Sequence, residues 1–156
     1  MRVLGIDLGR KRIGLALSDS EAEFAFPAGT LPSRDRRSDL RALCELIAER
    51  EVGCVVVGLP RHMDGRKGPE AEAAERFAAE LAEQAGVPVE TLDERWTSRE
   101  AERVLQEQGR GGRKAREHVD EVAASIILRT YLELRAKQSA AESPTGAGER
   151  DAGRPE

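Results

Sequence analysis

The residues of this sequence that could do chemistry are carboxylates at three separate positions. Asp7 lies inside an apolar stretch near the start, where a charge is costly unless it is paired or bound to a cation. Asp93 and Glu94 follow a short apolar stretch, and Asp120 lies near the start of the last amphipathic segment. Carboxylate oxygens suit Mg²⁺ or Mn²⁺, and two such ions about 4 Å apart can activate water for phosphodiester cleavage. Brought together, these acids predict a divalent-metal site that hydrolyses phosphodiesters.

Each acid taken alone has an ordinary structural explanation. An aspartate near a helix start can simply interact favourably with the helix dipole, and acids beside a helix start can belong to the loop. Asp93 and Glu94 are also alternatives to each other, because neighbouring residues of a strand point to opposite faces of a sheet. The metal site is favoured by the joint placement, since three acids at one place would raise one another's pKa unless cations neutralised them.

Basic residues recur close to the same positions in the chain. The net charge is only −4, so any nucleic-acid site must be a local basic patch. Trp96 is the one aromatic residue near the acids, which favours recognition of backbone and shape over base readout. The alternative for each basic residue is a solvated loop. The predicted nucleic-acid-binding residues are Lys11, Arg12, Arg61, Arg95, Arg113 and Lys114.

The periodicity of apolar residues predicts the elements that must position these side chains. Residues 2–19 read as two strands joined by a tight turn of glycine and arginine. Ser38 is a candidate N-cap, and Thr97 with Glu100 fits a capping box. The further predicted strands are 24–31, 52–60 and 88–92, the predicted helices are 38–50, 69–84, 97–109 and 119–137, and a basic loop is predicted over 110–116.

This order of elements predicts an α/β fold with a five-stranded mixed sheet. Three strands in antiparallel hairpins come first, and alternating helices and strands then add parallel strands beside a central first strand. The continuous β-branched run near residue 55 implies that helices cover both faces of the sheet. Ligands of such sheets bind beyond the carboxyl ends of the strands, where Asp7, Asp93 and Glu94 are expected.

The chain of 156 residues is long enough for one domain with a hydrophobic core. We expect a folded domain over 1–137 and a disordered tail over 138–156, which is rich in small, charged and helix-breaking residues. No leader sequence and no membrane-spanning stretch is expected. Cys44 and Cys54 lie in apolar surroundings without metal or redox spacing, which is typical of a cytoplasmic protein.

Four motifs in order resemble those of the YqgF-type pre-16S rRNA nucleases, also described as Holliday-junction-resolvase-like proteins. They begin at Gly5 (GIDLGRKRIGLALSD), Val56 (VVGLPRHMDG), Leu92 (LDERWTS) and Asp120 (DEVAASIIL). The resemblance implies an RNase H-like fold and a metal-dependent nuclease that matures the 5′ end of pre-16S ribosomal RNA. One departure is Trp96, where the family commonly has leucine or phenylalanine.

The resemblance also implies which acids are catalytic. Asp7, Glu94 and Asp120 would be both the catalytic residues and the ligands of Mg²⁺ or Mn²⁺. Glu94 is preferred to Asp93 for its longer reach, and Asp93 would then brace the loop.

Three other functions compete with this prediction. The first is cleavage of branched DNA, which on a four-way junction would require a symmetric dimer. The second is a non-catalytic RNA-binding ribosome-assembly factor. The third, a nucleotide phosphotransferase, needs two related lobes where this chain predicts one. The low aromatic content and charged helices predict a monomer or a weak homodimer.

Overall fold

The computed structural model describes residues 1–61, 64–97 and 112–152 of the chain. For residues 113–114 and 142–152 it describes the backbone alone. Residues 98–109 of the helix predicted over 97–109, with Glu100 of its capping box, lie outside the described residues, and so do residues 110–111 of the predicted basic loop. The loop prediction is wrong for residues 113–116, which are helical.

Five strands form one mixed sheet, as the sequence predicts. Its strand order is β3-β2-β1-β4-β5, so that β1 is central and β3 is an edge strand. β1, β2 and β3 pair antiparallel, and β4 and β5 extend the sheet parallel to β1. The strands are β1 (Arg2–Leu8), β2 (Arg12–Ser18), β3 (Ala25–Pro32), β4 (Val52–Leu59) and β5 (Val89–Asp93).

Helices α1 (Arg36–Glu49) and α2 (Pro69–Ala85) come close to their predicted bounds. The predicted N-cap of α1 is wrong. Asp35 caps this helix, because its carboxylate accepts hydrogen bonds from both the backbone N–H and the hydroxyl of Ser38. α2 ends at Ala85, and Gly86 after it adopts the left-handed conformation with φ 72°, which terminates a helix. Among the described residues, no helix combines the length and apolar character needed to cross a bilayer.

Helix α3 (Arg113–Ala152) differs from its predicted bounds at both ends. It begins six residues earlier than 119, because Arg, Lys and Ala after Gly112 are good helix formers. Asp120 therefore lies about two turns into the helix and not in its first turn. The helix continues past 137, since no glycine or proline lies between Gly112 and Pro144. Residues 138–152 are therefore helical, where the sequence predicts a disordered tail. The division of the chain at 137 stays a prediction.

Helices cover both faces of the sheet, which confirms the layered α/β architecture. Alternate residues of β1 and β4 point to opposite faces. One face, including Leu4, Ile6 and Val55, packs against α1 and α2. The other face, including Val3 and Val56, packs against α3. The α3 residues in this second core are Ala124, Ile127, Leu128, Tyr131 and Leu132.

Glycines on the second face allow α3 to approach the sheet closely. A Cβ atom added to Gly5 would lie 2.8 Å from the Cβ of Leu128. A Cβ atom added to Gly14 would overlap the backbone carbonyl oxygen of Asp120. Gly58 is equally crowded by the side chain of Ile127. The three glycines therefore set the distance between α3 and the three central strands.

We expect Gly14→Ala to destabilise the protein by about 2–3 kcal/mol, because its Cβ meets helix backbone that cannot rotate away. The measurement is the free energy of unfolding in urea. Gly53→Ala is the matched control, since its Cβ would meet only the flexible side chain of Met1 and should cost less than about 1 kcal/mol. Equal losses for the two variants would contradict the close approach of α3.

Candidate active site

Asp7 and Glu94 meet on the face of the sheet that α3 covers. On β1, Asp7 follows Val3 and Gly5 on this face, and Glu94 follows Leu92 on the same face at the end of β5. The two carboxyl groups lie close enough for each to affect the pKa of the other. Burial, and then the charges of Glu94 and Asp120, raise the pKa of Asp7 to about 7. The Asp7–Glu94 pair therefore holds a proton near neutral pH.

The pKa of Glu94 is also raised, chiefly by burial. Its carboxylate lies against Gly58, where an added Cβ atom would come within 2.9 Å of Oε1. A side chain at this position of β4 would therefore occupy the space that Glu94 needs to reach Asp7.

The third predicted acid, Asp120, approaches from α3. Its backbone packs on Gly14, which is the strand partner of Asp7 in the β1–β2 pair. Its Oδ2 atom accepts a hydrogen bond of 2.6 Å from Nε of Arg12, with both side chains about three-quarters buried. Arg12, predicted to bind nucleic acid, thus neutralises a site acid here.

Asp93 points away from this group, as expected of the neighbouring residue in a strand. Its carboxylate accepts hydrogen bonds from the backbone and guanidinium of Arg95, and its Oδ2 lies 3.9 Å from Nε of Arg61. These partners, the Arg95 hydrogen bonds first, hold the pKa of Asp93 below its usual value. The structure confirms that Asp93 braces the loop.

The carboxylates of Asp7, Glu94 and Asp120 are the kind of donor set that a divalent cation requires. Two of the three are partly buried carboxyl groups with raised pKa values, a condition that a bound cation would relieve. Their oxygens come from three elements and are hard ligands suited to Mg²⁺ or Mn²⁺. The three carboxylates do not each place an oxygen within 4.8 Å of the other two. This separation is compatible with two metal ions about 4 Å apart, each bound by some of the acids.

The sequence analysis did not predict one compact acidic cluster. Among the described residues, Asp19, Glu21 and Glu23 are the only group of three or more His, Cys, Asp or Glu whose possible metal ligands all lie within 4.8 Å of one another. They lie in the β2–β3 turn, at the opposite end of the sheet from Asp7. Oδ1 of Asp19 already accepts the backbone N–H groups of Glu23 and Phe24, which explains the cluster as a hydrogen-bonded turn.

Basic side chains flank the acids on one side in a depression of about 650 Å³. Lys11, Arg12 and Arg116 contribute its positive charge, and Glu117 lies at its rim. Arg116 is the last residue of the predicted basic loop, and it precedes Asp120 by one helical turn. Arg61 and Arg95 lie on the other side with Asp93, and the side chains of Arg113 and Lys114 lie outside the described residues.

A second cavity, of about 580 Å³, lies on the opposite face of the sheet and contains none of the three acids. Its floor includes Leu8 and Phe77, and arginines at its rim are offset by nearby acids such as Asp35 and Glu70. This balance of charge gives it no marked preference for an anion.

The sheet order, the helices on both faces and the acids at the strand ends define an RNase H-like fold. Thermus thermophilus RuvC in complex with a Holliday junction substrate superposes with a TM-score of 0.54 at 18% identity, over 86% of this chain and 96% of that one. The fowlpox virus Holliday junction resolvase superposes with a TM-score of 0.51 at 14% identity, over 85% of this chain and 99% of that one.

Residues 1–134 match the family model RuvX, described as Holliday junction resolvase, and the chain belongs to this family. A relative from Anaeromyxobacter sp. (strain Fw109-5), named "Putative pre-16S rRNA nuclease", is 49% identical over 135 residues, which are 86% of this chain and 98% of the relative. A relative of the same name from Chloroflexus aggregans is 47% identical over 133 residues, which are 85% of this chain and 94% of the relative. The family inferred from the four motifs is confirmed.

The raised pKa of Asp7 predicts a pH-dependent stability of the metal-free protein. Between its ordinary value of 3.8 and about 7, the folded state binds a proton that the unfolded state releases. The free energy of unfolding should therefore fall as pH rises through this window. Asp7→Asn should flatten this dependence and raise stability at pH 8 by about 2 kcal/mol, measured by urea unfolding in chelator.

Asp93→Asn is the matched control for that measurement. Because Arg95 and Arg61 stabilise the ionised form of Asp93, this variant should lose stability at pH 8. A gain in stability from Asp93→Asn, or none from Asp7→Asn, would contradict the assigned electrostatics.

Proposed function

We propose that this protein is a divalent-metal-dependent nuclease that processes the 5′ end of pre-16S ribosomal RNA during ribosome biogenesis in the cytoplasm. The observation that carries the proposal is the convergence of Asp7, Glu94 and Asp120 at the carboxyl end of the central strands. Family membership and the name of the relatives support the reaction and the RNA substrate.

The three acids would hold the metal ions, and the basic residues would hold the RNA. Mg²⁺ or Mn²⁺, when bound, would activate the attacking water and stabilise the leaving oxygen. The glycine contacts hold the backbone of Asp120 against the sheet, and its carboxylate, whose charge raises the pKa of Asp7, would complete the ligand set. Lys11 and Arg116 present cationic groups to backbone phosphates in the depression beside the acids.

A second candidate function is cleavage of branched DNA. It is favoured by the family's description as a Holliday junction resolvase and by the fold shared with RuvC. Symmetric cutting of a four-way junction would need two copies of this chain, whereas processing one RNA end needs only one. We favour the RNA function and a monomer or weak homodimer.

The metal-site proposal is tested with Asp7→Asn and Asp120→Asn. Both variants should lose at least about 100-fold in the rate of pre-16S RNA cleavage in Mg²⁺ or Mn²⁺, because each removes a charged ligand. Cleavage rates are measured on a labelled precursor, with circular dichroism to show that the variants fold. Wild-type cleavage should stop in excess chelator.

Asp19→Asn is the matched control, since it removes an acid from the cluster at the other end of the sheet. It should cleave at the wild-type rate. Cleavage that survives Asp7→Asn and Asp120→Asn, or that continues in chelator, would contradict the mechanism. Tight RNA binding by the wild type without cleavage in either metal would instead support a non-catalytic assembly factor.

The basic depression is tested with the double variant Lys11→Ala/Arg116→Ala. We expect weaker RNA binding and a plot of log K against log salt that is shallower by about 1.5–2, because two phosphate contacts are lost. Fluorescence anisotropy of labelled RNA at several salt concentrations provides both values. Arg129→Ala/Lys137→Ala, on exposed positions farther along α3, should change neither. The same slope for both double variants would exclude the depression as the RNA path.

A further inference from the structure

The residues that follow β5 form a short 3₁₀ turn, Glu94–Trp96, whose backbone is held on both sides. The carboxylate of Asp93 accepts the N–H of Arg95 at 2.9 Å. The carbonyl oxygen of Glu94 accepts both the N–H of Thr97, at 3.1 Å, and its hydroxyl, at 2.8 Å. The backbone of this turn, and with it the direction in which each side chain leaves the chain, is therefore set before any ligand binds.

The three side chains of the turn point in three directions, as the threefold geometry of a 3₁₀ helix requires. Glu94 turns inward to Asp7, and Arg95 folds back on Asp93. Trp96 turns outward, and 61% of it is exposed. An indole with this exposure contributes little to the core, although it costs free energy to hydrate.

The surroundings of Trp96 carry positive charge that the protein does not fully use. Arg61 and Arg95 share the carboxylate of Asp93. The charge of Asp64 also acts on Arg95, but Asp64 pairs with Arg66, so that three guanidinium groups meet two carboxylates. Nε of Arg61 is buried without a hydrogen-bond partner, at 3.9 Å from Asp93. An exposed aromatic face beside surplus cationic groups is the combination that binds a base together with its phosphate.

We propose that Trp96 stacks on an unpaired base of the substrate next to the phosphodiester that the acids cleave. This inference rests on the proposed function and adds a preference for a single-stranded nucleotide beside the cut. Only an unpaired or terminal base offers a free face to the indole, because the bases of a continuous duplex are stacked on one another. Trp96 is thus a specificity-determining residue.

The test uses the intrinsic fluorescence of the protein, because Trp96 is its only tryptophan. Single-stranded RNA is titrated into the full-length protein in chelator, which prevents cleavage. Indole emission is recorded with selective excitation of tryptophan, and binding is followed independently by the anisotropy of labelled RNA. We expect the indole emission to be quenched with the same midpoint as the anisotropy change. A continuous RNA duplex without free ends near the site should bind with little quenching.

Trp96→Ala should weaken binding of the single strand roughly 5- to 100-fold, the range expected for one lost base stack. Trp96→Phe should restore part of this affinity. The salt dependence should be the same in all three proteins, since stacking releases no counterions. Phe26→Ala is the matched control, because Phe26 is 55% exposed on the edge strand β3 and away from the acids. It should bind as the wild type does.

Each outcome distinguishes the stacking inference from the proposed function. Binding without quenching, or equal affinities for wild type and Trp96→Ala, would overturn the stacking role and leave the nuclease proposal intact. Equal losses for single strand and duplex would likewise overturn it, because they would indicate a structural role. A wild-type protein that neither binds nor cleaves RNA would overturn both.

Discussion

The close approach of α3 to the centre of the sheet is the constraint on which the site depends. Gly14 and Gly58 have no side chains, so the backbone of Asp120 and the side chains of Ile127 and Glu94 occupy that space. A larger residue at either glycine position would move α3 or its side chains outward and disturb the placement of Asp120 and Glu94. The glycines therefore serve the core and the acidic site at once, since the same contact brings the helix to the strands.

This packing creates an electrostatic cost, because it gathers acids in a partly buried place. Part of that cost is offset within the protein. Arg12 pairs with Asp120, and the raised pKa of Asp7 favours its neutral form beside Glu94. On the far side of β5, Asp93 is stabilised in its charged form by Arg95 and Arg61. The remaining strain between like charges is what makes a divalent cation a favourable ligand here.

Much of the fold follows from local sequence patterns, and the errors have local causes. The hairpins, the two parallel strands and α2 come close to their predicted bounds, because their apolar periods and stop signals are clear. The cap of α1 was misplaced since Asp35 and Ser38 are both good capping residues, and only the backbone geometry distinguishes them. The start of α3 was misjudged because the basic residues after Gly112 are compatible with either loop or helix.

The sequence by itself determined the family, the strand order and the three acids that could hold a metal. The choice between Asp93 and Glu94 could have been read from strand alternation with Leu92, which points to the α3 face. Only the tertiary structure decided that Arg12 pairs with Asp120, that Arg116 joins the basic depression and that Trp96 faces solvent. These three facts depend on contacts or exposure set by segments far apart in the chain, and local periodicity carries no information about such distances.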